Sequence, residues 1–89
     1  MSLKLLNESL VKYAKIGAYS HVKALLDAGA DASADNSWAL RRAAEDGHTE
    51  CVKILIAAGA DARAQDSYAL RCAAKTKHTE CVKLLESYA

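Results

Sequence analysis

Apolar side chains in residues 2–16 fall at Leu3, Leu6, Leu10 and Ala14, three and four positions apart, with Val11 and Tyr13 widening the stripe. That period predicts one long opening helix with a single buried side. Gly17 supplies the residue that most readily ends a helix in the left-handed conformation. Val22, Leu25 and Leu26 restart the stripe in a second helix that stops at Gly29. Residues 30–36 (ADASADN) show neither long apolar periodicity nor an Asn-Gly hairpin signal, so they predict a short connection rather than paired strands. After Ser37, placed to cap a helix N-terminus, Ala39, Leu40, Ala43 and Ala44 share one side, and Trp38, Arg41, Arg42, Glu45 and Asp46 the other. Gly47 breaks this helix. Thr49 is placed to cap the next one, Glu50 complements its dipole, and Val52, Leu55 and Ile56 form its stripe, flanked by Cys51, Ile54 and Ala58, up to Gly59. The same order recurs from Ser67, so the predicted class is all-α, built from antiparallel helix pairs joined by tight breaks.

The recurrence is quantitative. Shifted by 30 positions, 16 of the 29 residues in 31–59 are identical to their partners in 61–89, including the whole of HTECVK. Composition alone does not produce such agreement, and the chain is a repeat array. The same shift backwards lays Leu10, Ala14, Gly17, Val22 and Leu25 on Leu40, Ala44, Gly47, Val52 and Leu55, so a more diverged copy comes first. No pair can bury its apolar side alone; pairs must stack, and three is about the smallest array expected to hold. One domain over residues 1–89 is expected, with an N-terminal capping repeat (1–30), a central repeat (31–60) and a C-terminal capping repeat (61–89). The last is marked as a cap by Glu86 and Ser87 in place of Ile56 and Ala57. At the other end Leu3, Leu5 and Leu6 extend beyond the repeat, for use either folded back over the first pair or as a dimer contact.

Composition sharpens this picture. The 52% hydrophobic content is inflated by 19 alanines, while Phe is absent and Trp and Met occur once each, which argues for close helix contacts through small side chains. Net charge is +1, and the three windows carry +2, −2 and +1 by counting Lys and Arg against Asp and Glu. No basic face accumulates, and nucleic acid is not an expected partner. No apolar run reaches the ~20 residues of a membrane span, so no membrane association is expected. No signal-peptide pattern opens the chain, and unpaired thiols fit a reducing, cytoplasmic home.

Residues 43–61, AAEDGHTECVKILIAAGAD, closely resemble the ankyrin repeat, whose core reads roughly A-A-x-x-G-H-x-E-V-V-K-L-L-L-x-x-G-A-D. The match continues in 73–89 and is weaker in 14–31. The family's T-P-L-H helix start stands here as Trp38-Ala39-Leu40-Arg41 and Tyr68-Ala69-Leu70-Arg71, and the period is 30 rather than the usual 33. The missing residues fall between Ala34 and Trp38, where the family projects a β-hairpin finger. The resemblance therefore implies a short solenoid of three stacked helix-turn-helix repeats with shortened or absent fingers. Its W/Y-A-L-R starts and period look like the variant abundant in large DNA viruses.

The resemblance also implies a non-catalytic module that binds a partner protein, of unknown identity, through the exposed face of the first helices; a small viral or phage-type inhibitor of a host protein is one form of this. Outward positions on those helices are Lys12, Lys15 and Ile16, then Trp38, Arg42, Glu45 and Asp46, then Tyr68, Cys72, Lys75 and Thr76, and all of these but Ile16 and Cys72 are the expected partner-binding residues. They differ between copies while the inward Ala, Leu and Val positions repeat. Ankyrin repeats commonly contact partners through the positions of Glu45 and Asp46. Trp38 and Tyr68 have two readings, as hot-spot aromatics or as covers for the connection to the preceding repeat. The function of a different class is a designed, truncated or self-associating repeat unit with no foreign ligand. A monomer or weak homodimer is expected.

Candidate chemistry is thin. His48 and Cys51 with His78 and Cys81 make a four-ligand zinc set on paper. Equivalent positions in stacked repeats stand roughly 8–10 Å apart, whereas zinc ligands lie ~2.0–2.3 Å from the metal, so no metal is expected. The resemblance gives Cys51 and Cys81 the slots of core valines, and His48 and His78 the family histidine that ties adjacent loops. The same spacing opposes a disulfide. There is no nucleophile elbow and no phosphate-cradling glycine loop, so no catalytic residue and no cofactor are expected. Arg41 and Arg71 replace the hydrogen-bonding His of T-P-L-H and are expected to satisfy nearby loop carbonyls. Lys77 stands where Gly17 and Gly47 end their helices, a strained place for a side chain if positive φ is required.

Overall fold

A computed structural model describes residues 2–88. Six helices follow one another: α1 (Leu3–Ile16), α2 (Tyr19–Asp27), α3 (Ala34–Glu45), α4 (Thr49–Ala57), α5 (Ala64–Lys75) and α6 (Thr79–Glu86). Among the described residues there is no strand, so of the expected shortened or absent fingers it is absence that holds. The first helices α1, α3 and α5 stand side by side in one layer, and α2, α4 and α6 back them, with contacts between pairs running mainly through the first layer.

The alanine-rich sides explain that arrangement. Ala14, Ala39, Ala43, Ala44, Ala69 and Ala73 are buried and let the first helices approach closely, while Leu10, Leu40, Leu55 and Leu85 fill the space between layers. Full burial of each such leucine contributes about 1.5–3 kcal/mol. Val22, Val52, Cys51 and Cys81 complete the core at equivalent places in their helices, so the cysteines occupy packing slots. Among the described residues no three of His, Cys, Asp and Glu gather as a metal site requires.

The connections depart from expectation in an informative way. Asp35, Asn36 and Ser37 (φ 54, 57 and 58°) form one left-handed turn, and Gln65, Asp66 and Ser67 (φ 57, 56 and 59°) form another. The right-handed part of α3 therefore begins at Trp38, and that of α5 at Tyr68. Three consecutive left-handed residues are unfavourable by roughly 1–2 kcal/mol each, less so for Asn and Asp. Arg41 offsets this by donating from Nε to the Asn36 carbonyl (3.2 Å) and from Nη2 to that of Asp35 (3.1 Å). Arg71 repeats the clamp on Asp66 (3.1 Å) and Gln65 (2.9 Å). The expected carbonyl-satisfying role of both arginines holds, and the carbonyls belong to each arginine's own turn.

Three expected caps, Ser37, Ser67 and Thr49, are not caps. Ser37 does not cap its helix, because its own φ is left-handed and its hydroxyl accepts the Asp61 N–H of the next repeat at 2.7 Å. Asn7, the equivalent residue, likewise accepts the Asp31 N–H at 2.7 Å, so this position couples repeats. Ser67, also left-handed, makes no cap either. Thr49 is the first residue of α4 rather than its cap, and its hydroxyl lies 3.2 Å from Cys81 Sγ in the following repeat. Asp31 folds its carboxylate onto the Ser33 hydroxyl (2.7 Å) and N–H (2.9 Å), which holds its pKa below the ordinary value.

The glycine breaks serve two purposes at once. Gly17 and Gly47 have φ of 75° and 74°, and the space a Cβ would take is filled by the His48 and His78 rings of the following pair. His48 Nε2 meets the Lys15 carbonyl at 2.8 Å; a carbonyl only accepts, so Nε2 carries the proton. Lys77 has φ of 61°, the strain anticipated for a side chain at that position. At the N-terminus the fold-back reading holds for Leu6 alone, which is buried; Leu3 and Leu5 remain 55% and 53% exposed.

Candidate functional site

The outward side of the first layer gathers the expected binding residues in three strips. On α1, Lys12 and Lys15 are exposed, and Lys12 Nζ stands 5.5 Å from the Tyr13 ring centre. On α3, Trp38 is 36% exposed, with one side against a small cleft between α1 and α3 lined by Glu8 and Val11. The Arg42 guanidinium lies 6.0 Å from the Trp38 ring centre and pairs with Glu45 at 3.2 Å. This spacing follows from the helix: positions 38, 42 and 45 share one face. Asp46 is exposed at the end of the same strip.

On α5, Tyr68 is half-buried and takes two guanidiniums, Arg41 at 5.2 Å and Arg71 at 5.6 Å. Tyr68 thus joins the central strip to the third one. An open groove between α3 and α5 is lined by Glu45, Tyr68, Cys72, Lys75 and Thr76. Within it the Tyr68 hydroxyl is held above its ordinary pKa, chiefly by the Cys72 thiol and then by the charge of Glu45, with Arg42 opposing.

The structure therefore brings Trp38, Arg42 and Glu45 into one connected set, and Glu45, Tyr68, Lys75 and Thr76 around one groove. Lys12 and Lys15 lie on the neighbouring strip. Thr76 is largely committed to backbone: its hydroxyl lies 2.8 Å from the Cys72 carbonyl and 3.4 Å from that of Glu45. Trp38 packs one side against the cleft and leaves the other open. The Arg41–Tyr68 contact across repeats went unread in the sequence, although arginine and an aromatic recur together at the 30-residue period.

Stacked antiparallel helix pairs of a fixed period, presenting variable side chains on one layer, define a helical-repeat solenoid. The family model for ankyrin repeats (3 copies) matches residues 10–89, and the chain belongs to the ankyrin-repeat family. No curated protein matches the chain closely enough to serve as a relative. Ankyrin repeats are generally protein–protein interaction modules and typically non-catalytic. Among the described residues, no helix is long and apolar enough to cross a membrane.

Proposed function

We propose that the chain binds a partner protein through the exposed face of α1, α3 and α5, with Trp38 and Arg42 as anchors and Lys12, Lys15, Glu45, Asp46, Tyr68, Lys75 and Thr76 around them. The observation that carries this is the set on α3: a partly open tryptophan under a guanidinium that is already oriented by Glu45. Interface energy concentrates in Trp, Tyr and Arg, and an oriented side chain loses less freedom on binding. Each repeat, 1–30, 31–60 and 61–89, contributes one strip. The short period and W/Y-A-L-R starts extend the reading to a small inhibitor of a host protein. For an identified partner, Trp38→Ala with Arg42→Glu is expected to weaken binding by ~2 kcal/mol or more, roughly thirtyfold, with helicity retained. Unchanged affinity, measured by calorimetry, would move the face elsewhere.

Self-association without a foreign ligand has one observation in its favour, the exposure of Leu3 and Leu5. Sedimentation of the purified chain distinguishes it: a dimer abolished by Leu3→Ser and Leu5→Ser supports that reading, and a monomer contradicts it.

A further inference from the structure

We propose that the partner segment held by this face is acidic at both ends and apolar in its middle: carboxylates flanking one aliphatic or aromatic side chain. This rests on the binding-face reading and adds the partner's chemistry to it. The 30-residue period places Lys15 on α1, Glu45 on α3 and Lys75 on α5 at equivalent outward positions. What surrounds them differs. Glu45 is half-buried and neutralised by Arg42 at 3.2 Å. Lys15 and Lys75 are exposed, as is Lys12, and none of the three makes an ion pair among the described residues. Lys12, Lys15 and Lys75 therefore leave unpaired positive charge on the outer strips, beside an exposed Glu8 on α1, while the middle strip holds the Arg42–Glu45 pair and an exposed Asp46.

Between the cations the surface favours an apolar group. Trp38 lies under Arg42, and the groove between α3 and α5 is walled by Tyr68 and Cys72 together with Glu45, Lys75 and Thr76. A carboxylate placed there meets Glu45, and a cation meets Arg42 over Trp38 and the Arg41 and Arg71 guanidiniums over Tyr68. An apolar side chain covers the open side of Trp38 and the half-buried Cys72 without breaking the Arg42–Glu45 pair. Adjacent first helices pack about 8–10 Å apart, so Lys15 and Lys75 stand on the order of 16–20 Å apart. An extended chain crosses that distance in about five or six residues at roughly 3.3 Å each.

Two other occupants fit less well. A second copy laid in full register puts Glu45 against Glu45 and Lys15 against either Lys15 or Lys75, like charge on like in both arrangements. A nucleic acid carries unbroken negative charge across the strip that holds Glu45 and Asp46.

The test is selection of a displayed random peptide library on the wild-type chain, with the selected peptides then measured against Lys15→Glu/Lys75→Glu. Both substitutions are at exposed positions, and circular dichroism checks the fold. The expected result is a consensus with acidic ends around an aliphatic or aromatic residue. Binding should fall at least about fivefold on charge reversal, with the gap narrowing in high salt. A consensus without acidic ends overturns the proposal, as does an oligothymidylate that displaces the peptides at equal concentration. Peptides that ignore charge reversal but lose affinity on Trp38→Ala/Arg42→Glu overturn the acidic-end chemistry and leave the face standing. Peptides that ignore both sets of changes overturn the face as well.

Discussion

Lys77 holds the place where Gly17 and Gly47 end the first helices of the preceding pairs, and its φ of 61° is left-handed. A side chain in that conformation is strained by about 1 kcal/mol relative to glycine. Lys77→Gly is expected to stabilise the chain by ~0.5–1 kcal/mol, read as a raised denaturant midpoint, partly offset by glycine's freedom when unfolded. Gly47→Ala should lower the midpoint instead, because its new methyl must displace the His78 ring as well as hold φ of 74°. A lowered midpoint for Lys77→Gly would mean that the lysine stem contributes packing that outweighs its strain. The three thiols differ in exposure. Cys51 and Cys81 are buried and Cys72 is half-exposed. Burial, and then the charge of Glu50, pushes the Cys51 thiol above its ordinary pKa. In the native protein a disulfide reagent should modify Cys72 first, and the other two only as the core opens. Equal rates for all three would contradict their placement.

The elements were legible where periodicity speaks and obscure where partners are distant. The 3.6-residue stripes place all six helices because each buries one side. Ser37 was misread because a hydroxyl just before a helix suggests a cap, while its true partner, the Asp61 N–H, lies 24 residues downstream in another repeat. The left-handed turns were likewise hidden: a deletion where a hairpin is expected says that the finger is short, not which backbone replaces it. The turns make their own prediction. Arg41→Ala removes both donors from the Asp35 and Asn36 carbonyls and should destabilise by ~1–3 kcal/mol in denaturant unfolding. Arg41→Lys should restore little, since an ammonium lacks the fork that reaches two carbonyls at once. A neutral Arg41→Ala would show that Asp35 and Asn36 hold the turn by their own preference.

For the molecule as a whole, the repeat made the stack legible: three pairs, none able to bury its apolar side alone, joined at recurring points such as Asn7 to Asp31 and Ser37 to Asp61. The outward residues could be named from the same register, because packing fixes the inward set and leaves the others to vary. Their grouping could not. That Arg42 neutralises Glu45, or that Tyr68 takes a guanidinium from each of two repeats, depends on rotamers and on helix approach. The proposed binding face is open to backbone amide exchange of the chain, alone and saturated with an identified partner. Binding through the first-helix layer adds protection over residues 12–16, 38–46 and 68–76 and leaves α2, α4 and α6 unchanged; protection centred instead on α4 and α6, around Lys53 and Lys83, puts the face on the second helices.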